Sequence, residues 1–272
     1  MMKNYLLLLA LIVALMLTAC KHTKSHHDSN DEEEEEQAVG LIIDEEHFPD
    51  DAFRALLLEK DFGEDAIITE EEMEDLYQLY IDDRGIRSLE GIDLLTNLGD
   101  LRISGNQFGN LVLPRMEELY RLYLIRCGLT GLDLSQCPSI SDFRCIENDE
   151  LTTLDLSNKP KLELLEVYEN QLTSLNLEGS DSVLCMDVHQ NQLTSLDLSA
   201  QRNLHYVNIG NNPMDEAQMD RFISQLPKGV QLDTSWSDHI EFEEPYISLG
   251  GHALTLAQEQ MLEQKGWYHI KN

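Results

Sequence analysis

The stretches Leu162-Glu-Leu-Leu-Glu-Val-Tyr-Glu-Asn-Gln-Leu-Thr-Ser-Leu-Asn-Leu177 and Val183-Leu-Cys-Met-Asp-Val-His-Gln-Asn-Gln-Leu-Thr-Ser-Leu-Asp-Leu198 align without a gap at a spacing of 21 residues. They share a valine, an asparagine and a Gln-Leu-Thr-Ser-Leu run at the same places. The phase continues in both directions, with unit starts at Leu76, Leu98, Leu119, Ile140, Leu162, Val183 and Leu204, in steps of 22, 21, 21, 22, 21 and 21 residues. Repetition at a fixed period in the twenties outranks any local reading of helix or strand. Positions 4 and 6 of each unit are apolar: Leu79/Ile81, Leu101/Ile103, Leu122/Leu124, Phe143/Cys145, Leu165/Val167, Met186/Val188 and Val207/Ile209. They alternate with other residues, which predicts a strand with one buried face.

The pattern resembles the leucine-rich repeat. That resemblance implies an α/β solenoid of about seven 21–22-residue units with parallel strands on its concave face. It also implies that the position-9 asparagines, Asn106, Asn148, Asn170, Asn191 and Asn212, turn inward and bond the backbone as a ladder, with Arg84 and Cys127 as exceptions. A buried amide requires such partners. The returning half of each unit alternates again, as Leu132-Asp-Leu134, Leu154-Asp-Leu156, Leu175-Asn-Leu177 and Leu196-Asp-Leu198. This predicts short extended segments on the convex side. One unit cannot bury both faces alone, so stacking must do it.

The division that follows is a signal peptide at 1–19, a tether at 20–38, a helical N-terminal cap at 39–75, repeats at 76–212 and an α/β cap at 213–272. Lys3 precedes an apolar run from Leu6 to Leu17, which then reads Leu17-Thr-Ala-Cys20. The run is short for a membrane span and fits a secretory signal. Its last four residues resemble the lipobox of bacterial lipoproteins, which implies cleavage before Cys20 and acylation of that residue (palmitate among the chains). Several acyl chains, at about 0.8 kcal/mol per buried CH₂, anchor a protein effectively permanently. The acidic run after it resembles surface-export signals of some Gram-negative lipoproteins. Together these imply an outer-membrane lipoprotein facing the cell surface; the alternative is a periplasm-facing structural or assembly lipoprotein.

The formal charge is −32, and residues 28–75 hold 21 acids against Arg54 and Lys60. Such a chain repels phosphate, so nucleic acid is not an expected partner. Within the cap, Asp61-Phe-Gly-Glu-Asp-Ala-Ile-Ile-Thr-Glu-Glu-Glu72 resembles an EF-hand loop, with Asp61, Asp65 and Glu72 at positions 1, 5 and 12. Gly63 removes a ligand and Ala66 replaces the turn glycine. The segment reads instead as a helix-loop-helix cap with Thr69 and Glu72 in a capping box; neither a metal nor a cofactor is expected. Phe48-Pro-Asp-Asp-Ala-Phe-Arg54 resembles the N-terminal cap of internalin-like repeat proteins, with Phe53, Leu56 and Leu57 at helical spacing.

Strand positions 3, 5 and 7 line the predicted concave face. Column 5 begins Tyr80, Arg102, Tyr123, Arg144. Its neighbourhood gathers Arg121, Ile125, Ile146, Leu164 and Tyr168, the residue types that dominate binding hot spots. These nine residues are the candidate partner-binding face, for a protein or glycan. Their local basic character suggests an acidic or aromatic-rich partner. The competing reading is a self-satisfied ladder, with Arg121 between Asp100 and Asp142 and arginine stacked on tyrosine.

The five cysteines have irregular spacing and suggest neither a zinc site nor a disulfide framework. Cys185, in the exposed column 3, is the one to test for reactivity. Asp181-Ser182-Val183 resembles an O-glycosylation acceptor, which makes Ser182 a candidate site. After Asn212-Pro213 the pattern turns helical, with Met219, Phe222, Ile223 and Leu226 in phase. Val230-Gln-Leu232, Phe242 and Tyr246-Ile-Ser-Leu249 read as short extended pieces. Thr255 and Gln258 cap a last helix that stops at Gly266, and Trp267 covers the apolar end. No catalytic motif is present. The expectation is a non-catalytic binding module.

Overall fold

A computed structural model describes residues 40–60, 62, 65–229 and 245–270. The signal peptide, Cys20, the tether, Asp61, Gly63, the Val230-Gln-Leu232 piece and Phe242 lie outside these residues. The N-terminal cap is built from β1 (Gly40–Ile42), α1 (Asp51–Leu58), β2 (Ile67–Thr69) and α2 (Glu70–Asp75). β1 and β2 pair antiparallel across α1, a two-stranded sheet that a purely helical cap would lack. Asp50 starts α1: its Oδ1 accepts from the N–H groups of Ala52 and Phe53. Its Oδ2 accepts from Arg87 and Ser88 in the first repeat. One carboxylate therefore satisfies two helix-end donors and ties the cap to the solenoid. The capping box of α2 forms as expected between Thr69 and Glu72.

The repeats follow as β3 (Gln78–Asp82), β4 (Asp100–Ser104), β5 (Gly109–Val112), β6 (Arg121–Ile125), β7 (Leu129–Asp133), β8 (Asp142–Ile146), β9 (Thr153–Asp155), β10 (Leu164–Glu166), β11 (Ser174–Asn176), β12 (Cys185–Asp187) and β13 (Tyr206–Asn208). The seven strands expected for the concave face are β3, β4, β6, β8, β10, β12 and β13, paired in parallel in that order. Each position-4 and position-6 side chain is buried. All seven units share one core with the cap residues Phe48, Phe53 and Leu57.

The sheet does not stop at the seventh unit. After α3 (Glu216–Gln225), β14 (Tyr246–Ser248) adds in parallel to β13. After α4 (Leu256–Lys265), β15 (Tyr268–Ile270) adds to β14, which makes nine strands. The C-terminal cap thus continues the solenoid with helices in place of the convex segments. α4 carries the expected Thr255/Gln258 box, and Gly266 ends it with φ 75°. Trp267 is buried, and its indole N–H donates to the Pro227 carbonyl at 2.9 Å.

On the convex side β5 pairs with β7 and β9 with β11. Leu196-Asp-Leu198, expected to be extended like the others, forms no strand. Its neighbour is α3, whose Gln225 supplies both bonds there: Oε1 accepts from Leu198 N–H at 3.0 Å, and Nε2 donates to Asp197 Oδ1 at 3.0 Å.

The asparagine ladder is present. Asn170 Nδ2 donates to the carbonyls of Cys145, Val167 and Tyr168, while its Oδ1 accepts from Asn148 N–H. Asn191 and Asn212 repeat the Nδ2 contacts one unit further each time, while their Oδ1 atoms accept from Leu172 and Leu193 N–H. At Cys127 the thiol reaches the Ile103 and Ile125 carbonyls at 3.4 and 3.5 Å, the weaker form of the same contact. Arg84, the other exception, is exposed and pairs with Glu59 at 2.6 Å.

Candidate functional site

The parallel register places Tyr80 beside Arg102, Arg102 beside Tyr123, and Tyr123 beside Arg144. The guanidinium carbon of Arg102 lies 5.1 Å from the centre of the Tyr80 ring and 4.9 Å from that of Tyr123. Arg144 lies 4.5 Å from Tyr123. Four strands thus carry one alternating Tyr–Arg–Tyr–Arg stack, held by attraction of each cation to the ring quadrupoles.

A second row, in column 3, locks the first. Asp100 and Asp142 are buried. Asp100 takes a two-pronged contact from Arg102, at 2.9 and 2.8 Å. Arg121 bridges Asp100 at 3.0 Å and Asp142 at 2.9 Å. The Tyr123 hydroxyl donates to Asp142 at 2.7 Å. Arg144 completes the set beside Glu166 at 3.3 Å. Burial works against the Arg121 charge, but the bonds to Asp142 and Asp100 hold it protonated beyond the ordinary guanidinium range. Burial and the bond to Asp142 push the Tyr123 phenol up to about 12. The groups of this network are positioned by one another.

Three expectations change. Tyr123 is only 8% exposed and Ile146 only 4%, so neither is a free contact residue; both are packed between neighbouring strands. Ile125, Leu164 and Tyr168 are half-buried, and Tyr80 is the open member of the set. The basic character also disappears: Arg102, Arg121 and Arg144 all lie against Asp100, Asp142 or Glu166. Finally, Cys185 is partly buried, and burial, with Glu166 nearby, pushes its thiol up to about 12. A thiol at that value holds almost no thiolate at neutral pH and is a poor nucleophile.

The second half of the face has a different chemistry. Tyr168 and His189 stack with ring centres 4.6 Å apart. His189 Nδ1 lies 2.5 Å from Asp187, which also accepts from Asn208 at 3.1 Å. Tyr206 packs against Tyr246 with ring centres 5.0 Å apart and planes tilted by 37°, and Tyr268 follows in register, 61% exposed. The sequence reading left out Tyr246 and Tyr268 because α3 and the chain after it interrupt the period. The usable signal was the step of 22 residues between those two tyrosines, one repeat long.

The remaining candidates lie apart from this face. Asp65 accepts from Ile67 N–H at 3.0 Å, and Glu72 is engaged with Thr69, each in a local turn or cap. Among the described residues no three metal-ligating side chains converge. The Ser182 hydroxyl donates to the Pro160 carbonyl at 2.7 Å, in the turn before β12.

No protein-family model and no curated relative matches the chain. Among solved structures, the internalin InlF of Listeria monocytogenes is similar over 84% of this chain and 71% of its own, with a TM-score of 0.50 and 20% sequence identity. The fold is that of an internalin leucine-rich repeat domain. Internalin C2 of the same organism matches over 66% of this chain and 92% of its own, at a TM-score of 0.40 and 18% identity.

Proposed function

We propose that this chain is a non-catalytic binding module that takes a protein partner on its concave face. It is anchored through lipid on Cys20 in the outer membrane and exposed at the cell surface. The observation that carries the reading is the locked stack from Tyr80 to Arg144. Buried ion pairs add little net stability compared with apolar packing, so such a network is a costly way to hold a fold together. It is an effective way to present a rigid surface. Side chains already held in one geometry lose little entropy on binding, which leaves more of the contact energy as affinity. The tyrosines and arginines are also the residue types that dominate binding hot spots. The lipobox-like Leu17-Thr-Ala-Cys20 and the acidic run after it support the anchoring and the surface placement.

A photo-crosslinking residue at Ile125, within the face, should capture a discrete partner on intact cells. The same residue at the convex, exposed Val112 should not. Absence of any adduct at Ile125 would remove the binding-face reading. Palmitate labelling should be lost in Cys20→Ser, and protease treatment of intact cells should release the domain. Retained label in that variant, or full protection from protease, would remove the anchoring and exposure parts separately.

A further inference from the structure

The Tyr–Arg stack has one closed end and one open end. On β8 it finishes at Arg144, which faces Glu166 at 3.3 Å. On β3 it finishes at Tyr80, and β3 is the terminal strand of the sheet on that side. Arg102 covers the inner face of the Tyr80 ring at 5.1 Å. Tyr80 is still 42% exposed, because among the described residues no further strand lies beside it. Its hydroxyl donates to Gln78 at 2.6 Å, which fixes the ring's orientation without covering it.

The surroundings define the charge of what fits there. The alternation Tyr, Arg, Tyr, Arg, followed outward past Tyr80, next requires a cation. The arginines of this face are held by its own carboxylates, so none of them supplies it. Asp82, on the same side of β3 and exposed, stands two residues along. Glu74 and Asp75, both exposed, close the helix that leads into β3. The chain as a whole carries a formal −32. An anion approaching this corner meets repulsion; a planar cation meets an open ring and carboxylates.

We propose that Tyr80 is the docking point for an arginine side chain of a basic polypeptide partner, which extends the stack by one cation beyond the edge of the sheet. This rests on the concave face being the binding face and names the kind of partner it takes. Arginine fits better than lysine because its delocalised plane stacks on a ring and is more weakly hydrated.

The test uses the full chain with a short peptide of alternating glycine and arginine, and with the same peptide carrying neutral citrulline. Tyr80→Leu and Tyr80→Phe leave the net charge unchanged, so general attraction between acid and base is constant across the series. The arginine peptide should bind the Tyr80→Leu variant about fivefold more weakly than the parent, and the Tyr80→Phe variant about equally. The citrulline peptide should show no dependence on residue 80. An unchanged Kd in Tyr80→Leu, or no binding of the arginine peptide to the parent, overturns the proposal. Neither result touches the crosslink at Ile125, so loss of the cation site and loss of the binding face are separable.

Discussion

The two halves of the concave sheet are built on the same strands and the same inward residues, yet their outward chemistry differs. From β3 to β8, permanent arginine charges alternate with tyrosine rings over two buried aspartates. From β10 to β15, the partner of the aspartate is a histidine and the remaining contacts are paired aromatic rings and amides. The repeats that are most regular in sequence, at Leu162 and Val183, belong to the second half. Inward regularity is therefore independent of what the outward columns carry. The first half spends buried charge on a fixed surface; the second is assembled from smaller contacts that solvent reaches.

The largest separation between the halves should come from their aspartates. Asp142 holds Arg121 and Tyr123, with Arg144 Nε at 3.7 Å, on a buried side chain. Asp142→Ala leaves Arg121 with Asp100 alone and takes the buried acceptor away from the Tyr123 hydroxyl, and should cost about 3 kcal/mol. Asp187 is more open and serves His189, Asn208 and Tyr206. Asp187→Ala should cost about 1–2 kcal/mol. Urea unfolding of both variants measures the gap, and equal losses would erase the distinction between a locked half and a looser one.

Next in size is a pH effect that should belong to the second half alone. The bond to Asp187 raises the His189 pKa above its ordinary 6.5, with Glu169 adding to the same direction. A raised folded-state value means the stabilisation is complete below the unfolded value, and is lost as pH rises through the folded one. The group is half in solvent, so screening limits the effect to about 0.5–1 kcal/mol. Stability measured from pH 5.5 to 8.5 (a window set by the ordinary imidazole value) should decline across the His189 titration, and His189→Gln should flatten that decline. An identical slope in His189→Gln would assign the pH dependence elsewhere.

Much of this architecture was legible in the sequence because it depends on residues one period apart. The seven strands, the inward pairs and the asparagine ladder all follow from that period and from the need to satisfy a buried amide. The register also placed Arg121 between Asp100 and Asp142 correctly. What could not be read was how deeply those aspartates sit. Their burial is set by Arg102, Arg121, Tyr123 and Arg144 closing over them from three strands, which no single stretch reveals. The same closure turned Tyr123 and Ile146 from surface residues into packed ones. Tyr246–Ser248 reads as extended, but its place in the concave sheet, and β15 after it, escaped because α3 and the chain after it separate Tyr206 from Tyr246 by 40 positions, nearly two repeats. The β1–β2 pairing escaped because its strands are three residues each, lie on either side of α1 and carry no useful alternation.

The smallest expected effect lies in the turn that closes each concave strand, at position 8. Asp83, Arg126, Glu147, Glu169, Gln190 and Asn211 all adopt φ between 48° and 57°, and Gly105 has φ 62°. This left-handed turn aims the next residue inward, so the ladder asparagine depends on it. For residues other than glycine and asparagine the conformation costs roughly 1–2 kcal/mol. Both halves bear the cost, at Arg126 and Glu147 in the first and at Glu169 and Gln190 in the second, and Gly105 relieves it at one turn of the first half. At Gly105 a methyl group would also sit 1.8 Å from an Asp83 carboxylate oxygen. Gly105→Ala should therefore destabilise the domain by about 1 kcal/mol or more. Glu169→Asn, which tolerates the left-handed region, should raise stability by about 0.5 kcal/mol. Opposite shifts in the urea midpoint would show that the turn is a local strain shared by both halves. Two shifts of the same sign would mean that the Glu169 side chain contributes a contact outweighing that strain.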